Sequence, residues 1–236
     1  MVGWLKFIKK WDFTGIKGKP FKGNKLPEGS SIEQVCKPLL MQLSNVCDQP
    51  KQVFIHNRNE INALLTQLNT TVEALWDKTR SESVRNANDF FTGMALSEHA
   101  ERVYDRLSDL LWYQEKILAA DCWAKATLAV AGHYKHLVGP AMLAAADSRQ
   151  LAGKPLDAKN FYQAVIDDFS ILVEEWIDEE TGPHEKSEDR QALNCLQRAI
   201  SSWFELEKIE KAPLQTLEDY QNVRNRLLVI FEKPAE

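Results

Sequence analysis

A chain of 236 residues, 44% hydrophobic and 27% charged, can bury the core of one large or two small domains. Its mean hydropathy is −0.38, no apolar run reaches the ~18 residues of a membrane span, and its four cysteines form no C-x-x-C pair. Those features exclude a helix-spanning membrane chain and a small disulfide scaffold, and a pI near 5.7 argues against a general polyanion binder.

The net charge of −5 is laid down unevenly. Residues 1–27 hold seven lysines against Asp12 and no arginine, a formal +6; residues 28–236 hold 22 basic against 33 acidic residues, a formal −11. A short arm of one sign on a body of the other is the pattern of an attachment element. At helical spacing Trp4, Phe7, Ile8 and Trp11 fall within an arc of about 100°, Leu5 widens it, and Lys6, Lys9 and Lys10 lie opposite. Indoles and aliphatics on one side with snorkelling lysines on the other suit an interfacial helix. Thr14-Gly15 breaks the pattern, and Lys17, Lys19, Lys22 and Lys25, set among glycines and prolines, read as a basic tether. Such an arm fits an anionic membrane surface, a partner protein or the chain's own acidic body. Nucleic acid fits poorly without arginine. The lysine interruptions argue against a secretory signal, and the lack of Arg and Ser against a mitochondrial one. Val2, not glycine, follows Met1, and Gly3 comes one place too late for myristoylation.

Beyond the arm, apolar residues recur at three and four. Ser30 or Ser31 caps a predicted helix from Ile32 to Cys47, with Val35, Leu39, Leu40 and Leu43 inward and a kink at Pro38. The next runs over about 52–83 through Ile61, Leu64, Leu65, Leu68, Val72, Leu75 and Trp76, with Asn69, Thr70 and Thr71 weakening it. A break is expected at 86–93, with a short helix through Val84, Phe90, Phe91 and Met94 as the alternative. The longest helix then spans 97–135, with Leu107, Leu110 and Leu111 on its inner face and an apolar surface all round after Asp121. Gly139-Pro140 should stop it. A short helix over 141–151, a Gly153-Lys154-Pro155 turn and a helix capped by Asp157 follow, ended by Thr181-Gly182-Pro183. Leu193 to Phe204 and 217–234 make the last two.

Chemistry is sparse. His133 and His136 are three apart, but no Glu precedes either by three, as a carboxylate-bridged metal bundle requires. Glu175 and Asp178, with Glu98 and Glu101, could hold a divalent cation, although acids three apart occur on any acidic helix. There is no Gly-rich phosphate loop and no G-x-S-x-G elbow.

The expectation is therefore an all-α protein: an arm and tether at 1–27, then one acidic domain at 28–236 forming an irregular up-down bundle of about six to seven helices. It is read as a non-enzymatic cytoplasmic adaptor without cofactor, held to an anionic membrane by the arm and bound to a protein partner, with self-association left open. A metal-dependent all-α hydrolase, and a soluble regulator whose arm docks on its own bundle, are the alternatives.

Overall fold

The computed structural model describes residue 26 and residues 31–81, 87–130, 135–178 and 187–210, and most of their side chains. These residues form eight α-helices and no strand, so the chain is all-α, a multi-helix assembly. Among them no helix is long and apolar enough to cross a membrane. Contacts divide the chain at His133/Tyr134 into two compact units.

The first unit opens with α1 (Ile32–Cys47). Ser31 and Gln34 form a reciprocal capping box: the Gln34 N–H donates to Ser31 Oγ at 3.2 Å and the Ser31 N–H to Gln34 Oε1 at 3.0 Å. Ile32, Cys36, Leu39, Leu43 and Val46 are buried at helical spacing, while the exposed Pro38 is carried inside the helix. Pro50 then starts the short α2 (Lys51–His56).

The helix expected over 52–83 is interrupted by one residue, Asn57. Its N–H closes α2 onto Val53 and Phe54, and its carbonyl accepts the first bond of α3 (Arg58–Ser81) from Ile61 at 3.0 Å. Its side-chain amide donates to Gln49 at 2.9 Å, a local bond that competes with helix continuation. In α3 burial of the Leu68, Val72 and Leu75 face holds the weak run helical, and Thr66, Thr70 and Thr71 each satisfy their hydroxyl on the carbonyl four residues back, at 2.8–2.9 Å. Asn69 and Thr71 are buried beside Leu68, Val72 and Leu75.

Two further expectations are corrected. Residues 87–93 are not a break but the start of α4 (Ala87–Arg106). The proposed 97–135 helix is in fact the end of α4, a connection over 107–112 and α5 (Tyr113–Val130). Ser108 and Asp109 are weak helix formers, and turn bonds such as Leu110 N–H to the Leu107 carbonyl at 3.0 Å replace the helical ladder there. The chain can then reverse. Gly93 meets Val130, Ser97 Oγ lies 2.7 Å from Thr127 Oγ1, and the Tyr104 and Trp123 rings are 5.9 Å apart, so α4 and α5 run antiparallel. With α3 also packed on it, α5 is buried nearly all round after Asp121, as its composition predicts.

The second unit contains α6 (Lys135–Leu151), α7 (Pro155–Asp178) and α8 (Ser187–Glu210). Gly139-Pro140 does not stop α6. Val138, Gly139, Ala141 and Met142 are buried, and packing carries the helix past its breaker. At its end Gly153 takes φ +72°, its N–H donating to Gln150 and that of Lys154 to Arg149, a Schellman turn. Pro155 then occupies the first position of α7 and Lys154 its cap, while Asp157, the expected cap, lies within the first turn. Phe161, Tyr162, Val165 and Ile166 face Leu196, Ile200 and Trp203 in this core. The stop at 181–183 and the helix over 217–234 lie outside the described residues.

Candidate functional site

The arm residues Trp4, Leu5, Lys6, Phe7, Ile8, Lys9, Lys10, Trp11, Lys17, Lys19, Lys22 and Lys25 lie outside the described residues, as do the side chains of His133, His136, Glu175 and Asp178. Glu98 and Glu101 stand exposed on the outer face of α4 beside Asp105. Incomplete hydration, then the charges of Asp105 and Glu98, hold the Glu101 carboxyl above the usual carboxylate range; incomplete hydration does the same to Asp105. Among the described residues no three His, Cys, Asp or Glu side chains gather as a metal site.

All four cysteines are buried and unbridged. Burial pushes the Cys36 and Cys195 thiols up to about 11 and raises Cys47 and Cys122, so each is a protonated, unreactive thiol at neutral pH. A Ser44–His99 pair fares no better. The His99 Nδ1–H donates to the Ala95 carbonyl at 2.8 Å, an assigned tautomer that leaves Nε2 to accept the Ser44 hydroxyl at 3.0 Å. Ser44, however, lies in the last turn of α1, where the helix offers carbonyls and no donors to a developing oxyanion. The pair ties α1 to α4, with Arg102 donating to Ser44 Oγ and Asp48.

The densest unusual geometry is where α2 meets the 107–112 connection. Phe54 stacks on Trp112 at 6.3 Å with the rings 14° apart. The Arg58 guanidinium covers Trp112 and that of Arg106 covers Phe54, each at 4.8 Å, so two cations close a stack of two aromatic rings. Arg106 also donates to the Gln49 carbonyl at 2.7 Å. Glu115, in the first turn of α5, is only 3% exposed and accepts Arg58 Nε at 2.6 Å and Asn62 Nδ2 at 3.2 Å through Oε1. Burial opposes its charge, but the Arg58 bond, its own N–H and Asn62 outweigh that and hold the carboxyl below the usual range. Its second oxygen is buried and meets no donor among the described residues. Lys51 pairs with Asp109 at 3.0 Å, a third tie between the same two segments.

On this pinned frame sit Val53 (44% exposed), Ile55 (38%) and Leu111 (79%), three of the seven exposed large apolar side chains described. Val53 and Ile55, two apart in α2, emerge on opposite flanks of the buried Phe54, and none of the three carries a reacting group. Sequence reasoning missed the exposure of Leu111 by placing Leu110 and Leu111 on the inside of a continuous helix; the Ser108-Asp109 dipeptide is the signal that could have shown it. Comparison with protein-family models, with curated proteins and with solved structures finds no match.

Proposed function

We propose that this chain is a non-enzymatic helical adaptor, attached peripherally to the cytoplasmic, anionic face of a membrane by residues 1–11 and their lysine tether. The acidic body engages a protein partner. The observation that carries the reading is the segregation of charge, +6 in residues 1–27 against −11 in the remainder, with the aromatics of the arm on one helical face. Each lysine held at an anionic leaflet contributes about 1 kcal/mol, and a half-buried Trp or Phe about 1–2 kcal/mol. The exposed Val53, Ile55 and Leu111 support a body that binds another chain, and the reduced thiols support a cytoplasmic setting.

Vesicle co-sedimentation tests the anchor. The full chain should pellet with vesicles containing phosphatidylserine, Trp4→Ala/Trp11→Ala should not, and binding should fall steadily with added salt. Equal pelleting of the double variant would refute it.

A further inference from the structure

We propose that α2 is a strap that opens as a unit about residues 48–50 and Asn57, uncovering Phe54 and Trp112 while the rest of the first unit stays folded. The inference is independent of the arm and of any membrane.

Both ends of the strap interrupt the helical ladder. Pro50 is extended, with φ −54° and ψ 146°, and has no N–H to bond back to α1. Asn57 stands between α2 and α3 at φ −94° and ψ 26°. Residues at the ends of elements absorb a rotation without disturbing the helices they join. The Asn57 side chain also donates to Gln49 at 2.9 Å, so the two ends lie together and the segment between them can leave as one loop. Past Asn57 the chain is held separately. Arg58 covers Trp112 and pairs with Glu115, and the opening ends there.

The strap is thinly attached. Of its six side chains only Phe54 is buried, at 1% exposed. Six residues make too short a helix to persist without outside contacts. Its ties are the Phe54–Trp112 stack, the Arg106 guanidinium over Phe54 and the Lys51–Asp109 pair, all made to residues 106–112. That ion pair is exposed on both sides and contributes little.

Closure also leaves part of a charged group unsatisfied. Arg106 Nη2 donates to the Gln49 carbonyl at 2.7 Å, but its Nε–H is buried and meets no acceptor among the described residues. The Phe54 ring lies against this guanidinium at 4.8 Å, so its departure admits water and offsets part of the cost of opening. A segment with so few buried contacts opens well before the whole unit unfolds.

Native-state amide hydrogen exchange of the full chain, followed in rising sub-denaturing guanidinium, tests this. Amides 54–57 should exchange about a hundredfold or more faster than amides 65–72 of the α3 core, with a shallower denaturant slope because strap opening exposes little surface. Val72→Ala thins that core; it should speed exchange at 65–72 about tenfold or more and leave 54–57 unchanged. Phe54→Leu shortens the one buried anchor and should speed exchange at 54–57 about tenfold. If 54–57 share the rate and slope of 65–72 in the parent, α2 opens only with its whole unit and the strap is wrong. Equal acceleration of both segments by Val72→Ala, or no acceleration of 54–57 by Phe54→Leu, overturns it as well.

Discussion

Gly93 and Gly153 show one residue type serving opposite needs. A Cβ on Gly93 would stand 2.2 Å from Val130 Cγ1 and 2.9 Å from Cγ2, so the gap where α4 crosses α5 is already filled by valine. Alanine would gain about 1 kcal/mol of helix propensity but incur an overpacking cost of about 1–3 kcal/mol. The net effect should be a loss of stability in urea denaturation, recovered in part by adding Val130→Ala. Gly153 meets nothing within 4 Å, yet its φ of +72° belongs to the left-handed region. Gly153→Ala should cost about 1–2 kcal/mol and Gly153→Asn less, because only the backbone objects. Equal losses for Ala and Asn would refute that account.

At the scale of elements, the ties between segments matter more than the propensity of any one. The α2 helix has six residues, too few to stand alone, and is held by the Phe54–Trp112 stack and the ion pairs at its ends. Glu115 is the buried member of the central pair, and its folded pKa lies below the ordinary 4.5. A depressed carboxyl stabilises the fold above its unfolded pKa and loses that contribution as pH falls through the folded value. The Glu115 contribution should therefore be complete at neutral pH and fade below about 4.5. Glu115→Gln should lower stability by about 1–3 kcal/mol at pH 7 and flatten the acid limb of the stability–pH curve. An acid limb identical to that of the parent would show that Glu115 does not titrate as described.

Patterning reveals some features of these elements and hides others. The α3 face from Ile61 to Trp76 and the all-round burial of α5 were legible, because burial on one face or on every face leaves its own period. The breaks at Asn57 and 107–112 were not, and neither was the continuity through Gly93 and Pro140. Single-residue propensities are worth about 1–3 kcal/mol and are overridden where tertiary contacts exceed them. Leu111 fell in one such misread break: its spacing has the pattern of a core face, and only the reversal of the chain at 107–112 turns it outward.

For the whole molecule, the clearest chemical consequence is inertness of sulfur. With thiol pKa values near 11 at Cys36 and Cys195, about a thousandth of each is thiolate at pH 8, and burial adds a steric barrier. The native protein should react with a disulfide reagent such as DTNB far more slowly than a free thiol, and release four equivalents once unfolded in guanidinium. Rapid native reaction of even one thiol would mean that its cover opens readily.

The amino-acid sequence by itself determined the helical class and the opposed charges of residues 1–27 and 28–236, because period and composition act locally and survive any arrangement of the chain. Tertiary structure alone decided where helices break, which glycine is a gap and which a turn, and which leucines face outward. Those outcomes depend on residues distant in the chain, as Val130 on Gly93 and Trp112 on Phe54 show, and no local pattern encodes them.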